Sequence, residues 1–282
     1  MASPARAMWE ATERFHATCY LAPEVREAGS KAGLKGFWMN YFATRVAPVG
    51  PVGPEIVRST FFYYADTRIW RAIPDAWSLA MPEVVLAARY QGMDRALRRL
   101  LGDAVSGPEV VEAAAIVGDA CAGCDPIGRT LHAGWASLPW PDESHLALWH
   151  GCTLLREYRS GNHLLAVCAE GLDGCQSVVS HVAVGGAPRD WIRHEAGWSE
   201  AEEAAAVGAL RSRGWLDGHG AVTSAGREGR ARVEALTDEL DAVVWRRLGG
   251  ARSQRLFDLL SGLASALPPD DQLDWELYYE GS

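Results

Sequence analysis

Residues 198–230 restrict the possible folds more than any other stretch of the chain. A helix begins at Ser199-Glu200-Ala201-Glu202-Glu203 and runs to about 213. A tight turn follows at Asp217-Gly218-His219-Gly220, and Thr223-Ser224-Ala225-Gly226-Arg227 opens the next helix. Helix, hairpin and helix in this order predict the second half of a winged helix. Such a unit ordinarily offers its helix to the major groove of DNA. Here the reading end of that helix carries Glu200, Glu202 and Glu203. Three carboxylates oppose a polyanion, because non-specific DNA affinity comes from neutralising phosphates.

The charge distribution points the same way. The formal net charge is −9, yet residues 1–141 carry 14 basic and 14 acidic groups while residues 142–282 carry 13 and 22. All the excess acid therefore lies in the half with the winged-helix pattern. DNA is on this count an unlikely partner. Twelve tryptophans supply large apolar surfaces to bury or to offer to a ligand. The start, Met-Ala-Ser-Pro-Ala-Arg, has no signal-peptide core, and no apolar run approaches a membrane span. A cytoplasmic protein with six reduced cysteines is expected, with no membrane partner.

The pattern is mainly α with small β-wings. Helices are predicted over about 4–20, from 23, around 37–42, over 82–101 and over 108–122. A helix at 143–158 is expected to break at Arg159-Ser160-Gly161-Asn162, with His163 opening the next. Further helices are predicted at 173–184, 199–213, 224–245 and 251–267. Thr60 to Tyr64 favours a strand but equally suits a continued loop, and 125–141 reads as loop. The two halves look weakly alike. Trp9 matches Trp149, Ala32 to Gly36 matches Glu170 to Gly174, and Asp94 to Gly102 matches Asp241 to Gly249, at offsets of 140, 138 and 147. Tandem duplication leaves such offsets; so does chance in a chain this rich in Ala, Arg, Gly and Leu. The expected division is an N-terminal winged-helix-like half (1–141), a C-terminal winged-helix half (142–267) and an acidic aromatic tail (268–282). The seam between the halves is then the natural cavity.

Three groups of residues suit chemistry. His163, with Glu157 to orient it and Arg159 beside it, sits at a predicted helix junction, where the positive end of the dipole keeps an imidazole neutral and fit to act as a base. A capped turn is the plainer alternative. His16 shares a helix stripe with Glu13 and Tyr20, either as a second acid–base candidate or as a satisfied core histidine. Trp38, Tyr41 and Phe42, with Arg45 a turn on, form a ligand wall or simply core. No metal is expected: Cys121-Ala-Gly-Cys124 is a single knuckle, and His132 and His145 stand at no standard zinc spacing. Haem through His16, Cys19 or His150 lacks its attachment motif, so no cofactor is expected. Phosphate-binding, serine-hydrolase and zinc-protease motifs are absent. Arg89, Arg95, Arg98 and Arg99 make one side of the 82–101 helix basic, which reads as a solvated face before a phosphate contact.

Several motifs together resemble an actinobacterial family labelled helix-turn-helix. They are His16-Ala-Thr-Cys-Tyr-Leu-Ala-Pro-Glu24, Gly36-Phe-Trp-Met-Asn-Tyr-Phe-Ala43, Leu138-Pro-Trp-Pro141, Leu148-Trp-His150, and Leu154-Leu-Arg-Glu-Tyr-Arg159 through His163. The resemblance covers nearly the whole chain and carries an architecture, not an activity. In that family residues 157–163 usually read Glu-His-Arg-Gly-Asp-Gly-His; Tyr158, Ser160, Gly161 and Asn162 depart from it here. The C-terminal unit also resembles the wing half of MarR-type regulators, without their basic recognition helix. The reading that follows is a small-molecule-binding protein of specialised metabolism. Its ligand, hydrophobic or aromatic, lies in a cavity between the halves. Trp38, Tyr41, Phe42, Arg45, His150 and Arg159 are candidate contacts, and His163, Glu157 or His16 candidate acid–base groups. A ligand-responsive transcriptional regulator and a non-catalytic sequestration or self-resistance protein are the alternatives.

Overall fold

A computed structural model describes residues 4–267; the expected acidic tail lies outside them. Fifteen α-helices follow one another among the described residues. The first nine are α1 (Pro4–Leu21), α2 (Pro23–Lys31), α3 (Gly36–Val46), α4 (Pro54–Thr60), α5 (Asp66–Trp70), α6 (Asp75–Leu79), α7 (Pro82–Leu101), α8 (Pro108–Cys121) and α9 (Thr130–Ala136). After them come α10 (Ser144–Ala169), α11 (Gly174–Ala183), α12 (Trp191–His194), α13 (Glu200–Ser212), α14 (Ser224–Leu248) and α15 (Gly250–Ala264). None is long and apolar enough to cross a membrane.

The long helix α10 is the axis. It packs against α1, α8, α9 and α14, and its buried Leu148, Trp149, Cys152 and Leu155 join a central core with Phe15, Val117 and Leu256. Two smaller cores hang from this bundle. One holds Trp38, Phe42, Val57 and Ile69 of α3 to α5 under the start of α7. The other holds Val178, Ile192, Leu210 and Trp215 beside the end of α10 and the start of α14. The expected boundary at residue 141 does not divide the central core, which draws on helices from both sides of it.

The expected β-wings are also corrected. Between α13 and α14 there is one isolated antiparallel bridge, Leu216 to Val222, and no strand. The cause is local. The Asp217 carboxylate accepts from the amides of His219 at 2.8 Å and Ala221 at 2.9 Å, so the turn begins one residue after the bridge. Thr223 caps α14 through the Gly226 amide at 3.1 Å, so the helix begins one residue beyond it. No length is left for a ladder. Nor does a strand form at 60–64, where α4 ends in a turn.

The break expected at 159–162 is absent, and α10 runs through it. Gly161 serves close packing instead: a Cβ there would lie 2.7 Å from Arg129 Cγ. Asn162 is fully buried and accepts from Arg129 Nε at 2.7 Å. His163 therefore lies inside a helix, not at the start of one.

Candidate functional site

The acids at the start of α13 have structural partners. Ser199 and Glu202 form a capping box, and Glu203 is buried with Arg193 Nε at 2.8 Å. The basic side of α7 is likewise committed. Arg89 is buried and donates to Thr44 at 2.7 Å and to Cys19 Sγ at 2.9 Å. Arg98 pairs with Asp94 and Arg99 with Glu24.

A cavity of about 250 Å³ opens where the two smaller cores face each other. Tyr41, Arg45, Phe61, Tyr63 and Tyr64 line it from α3 and the α4–α5 connection. Arg156, Ser160 and His163 come from α10, Ser177, Val178 and His181 from α11, Trp191 from α12 and Arg230 from α14. The wall is pinned from both sides. Trp198 Nε1 donates to the Tyr63 carbonyl at 2.8 Å, and the Ala65 amide to the Ala196 carbonyl at 2.8 Å. Gly174 permits this approach, since a Cβ there would sit 2.1 Å from the Phe62 carbonyl oxygen.

His163 meets the first requirement of a base. Its Nδ1 lies 2.9 Å from Thr237 Oγ1, and that hydroxyl donates to the Val233 carbonyl at 2.8 Å. The hydroxyl must then accept from Nδ1–H, which leaves the lone pair on Nε2. Burial pushes the imidazole down to about 4, so it is neutral near pH 7. The helix dipole has no part in this.

Glu157 does not orient His163. It is fully buried and accepts from Arg45 Nε at 3.0 Å, Arg45 Nη2 at 2.8 Å and Arg156 Nη1 at 3.2 Å. Burial works against its charge, but Arg45 and Arg156 outweigh it and hold the carboxyl below its ordinary value. Arg45 also donates to the Tyr41 hydroxyl, which accepts from Tyr64 at 2.9 Å. Arg45 and Tyr41 thus reach the cavity as parts of a closed network.

The other expected site residues disperse. His16 is fully buried, with Nδ1 at 3.1 Å from Thr153 and Nε2 at 2.8 Å from the Tyr20 hydroxyl, and burial holds it neutral. Phe42 is core. Trp38 lies under Arg68 beside a separate surface pocket. His150 is fully buried between the Tyr90 hydroxyl, 2.7 Å from its Nδ1, and the Trp140 ring. Arg159 pairs with Asp238 at 2.6 Å and Asp241 at 3.3 Å. Among the described residues no three His, Cys, Asp or Glu side chains gather as metal ligands.

Sequence reasoning did not place Arg230 at this cavity; as one of three arginines after the turn, with Arg227 and Arg232, it reads as part of a solvated basic face. It is 4% exposed, and its Nη2 donates to Glu234 at 2.9 Å. Its Nε and Nη1 are buried without a protein acceptor, as is the Tyr63 hydroxyl. The signal was present in the pattern: Gly226, Gly229, Arg230, Val233, Thr237, Asp241 and Val244 are the buried stripe of α14, and Arg230 lies on it.

Searches among curated proteins and among solved structures find no match. A family model described as "Helix-turn-helix family" matches residues 5–273, nearly the whole chain, and the chain belongs to that family.

Proposed function

We propose that the protein binds a small organic molecule in the cavity between the two smaller cores. The observation that carries this is a pair of cavity-lining side chains, Arg230 and Tyr63, that keep buried polar atoms (Nε and Nη1 of the one, the hydroxyl of the other) for which the protein supplies no partner. Buried donors are ordinarily satisfied, and an exception beside a cavity is accounted for by a group bound there. The volume suits a one- or two-ring molecule: an apolar cavity of about 150 Å³ already holds benzene. His163, neutral and with Nε2 unprotonated, is the acid–base candidate if the molecule is turned over.

A tandem repeat would give such a cavity an origin: α1–α2, α3, α7 and α8 would answer to α10, α11, α14 and α15, the sequence matches between the halves being what supports it.

The test is a panel of one- and two-ring molecules screened by ligand-observed NMR against the protein and against Ser160→Phe, which sets a bulky ring at the cavity wall. Hits lost in Ser160→Phe support the reading; a panel whose hits all survive it overturns it. Membership of a helix-turn-helix family favours a second reading, a ligand-responsive regulator. Tight, salt-dependent binding to duplex DNA from upstream of its gene at physiological salt would favour that reading over sequestration or catalysis.

A further inference from the structure

We propose that the ligand is a carboxylate on a one- or two-ring scaffold, anchored through its anionic group by Arg230 and Tyr63. This rests on the reading of the cavity as a binding site.

Three arginines line the cavity, Arg45, Arg156 and Arg230, and no carboxylate does. Two of them are spoken for. Arg45 spends its donors on Glu157 and Tyr41, and Arg156 reaches Glu157 at 3.2 Å and Glu13 at 3.6 Å. Arg230 differs. Its balancing carboxylate, Glu234, is met by Nη2 alone and is shared with Arg6. The same Nη2 lies 3.3 Å from His181 Nδ1. Nε and Nη1 remain as buried donors without an acceptor.

The Tyr63 hydroxyl is the second unmet group. Its ring lies 6.0 Å from that of His163, and burial raises its pKa, so it stays a donor. A carboxylate has two oxygens and about four lone-pair positions, enough to accept from a guanidinium and a phenol together. One guanidinium with unmet donors matches one negative charge. A neutral amide of the same shape offers a single oxygen and brings two N–H groups to a wall already rich in donors. Phe61, Val178 and Trp191 supply apolar surface for the rings.

The probes are 1-naphthoate and its uncharged isostere 1-naphthamide, titrated by calorimetry into the protein and into Tyr63→Phe, Arg230→Met and Ser160→Phe. Naphthoate is expected to bind at least about tenfold more tightly than naphthamide. Tyr63→Phe removes one unpartnered oxygen, so it should fold normally and weaken naphthoate about three- to tenfold while leaving naphthamide unchanged. Arg230→Met should erase the preference; where it fails to fold, Tyr63→Phe alone decides. Equal affinities for the two probes, unmoved by Tyr63→Phe but both lost in Ser160→Phe, would overturn the anchor and leave the cavity standing. Probes that bind nowhere, or whose binding survives Ser160→Phe, would overturn both readings.

Discussion

Glu157→Gln is the substitution that best separates the framework from the site. The wild-type carboxylate is fully buried and accepts three charged hydrogen bonds, two from Arg45 and one from Arg156. Removing one partner of a buried ion pair costs about 3–5 kcal/mol, because the other charge stays buried. Two features place this variant at the lower end. The Gln oxygen still accepts one bond, and the Arg156 side chain is 18% exposed and keeps Glu13 at 3.6 Å. A loss of about 3 kcal/mol is expected, which in a chain of this size lowers Tm by roughly 5 °C. Tryptophan fluorescence during urea unfolding reads it directly, since Trp135 and Trp149 are fully buried. The double variant Arg45→Met/Glu157→Leu should recover much of the loss, as replacing both charges by apolar groups does elsewhere. A Glu157→Gln protein within about 1 kcal/mol of wild type would refute the claim that this pair holds α3 against α10.

Acid should unfold the protein earlier than its carboxylates alone would dictate. His150 is fully buried, and burial lowers it from 6.5 to about 4, so the unfolded chain takes up the proton first. The His150 share is complete above about pH 6.5 and drains by about 3 kcal/mol as pH falls toward 4, in the same window in which the buried His163 draws on stability; His150→Phe should therefore lessen that slope in a pH series of urea midpoints. Gly229→Ala should cost about 1–3 kcal/mol, because its Cβ would lie 2.0 Å from the Trp215 ring, whereas Gly208→Ala on α13 meets nothing and should gain about 0.5–1 kcal/mol by thermal denaturation. Gly161→Ala, with its Cβ 2.7 Å from Arg129, should destabilise; were residue 161 a helix break, Ala would be neutral or better.

The long helices were legible because their signals are local. Pro82 opens α7, Gly102 ends it, and the apolar positions between them repeat at helical spacing. α13 and α14 were legible for the same reason, through Ser199 and Thr223. The short helices α4, α5, α6 and α9 were not, since five to seven residues carry too little periodicity. Gly161 misled because a glycine that breaks a helix and one that admits Arg129 look alike in sequence. Of the residues singled out in the sequence, His163, Tyr41 and Arg45 line the cavity. Glu157 was assigned to the wrong partner: six positions along one helix put it and His163 on different faces, while Arg45 came from another element. Tyr63 and Arg230 meet only in three dimensions, from a connection and a distant helix.

The hydrogen bond from Trp198 to the Tyr63 carbonyl joins two things usually discussed apart. Tyr63 is a wall of the cavity, and Trp198 immediately precedes the cap of α13. An occupant that steadies Tyr63 therefore also steadies the start of α13, and any partner that shifts α13 pulls on the cavity wall. Linkage makes any such coupling reciprocal: if a partner of α13 altered the affinity for an occupant, the occupant would alter the affinity for that partner by the same factor.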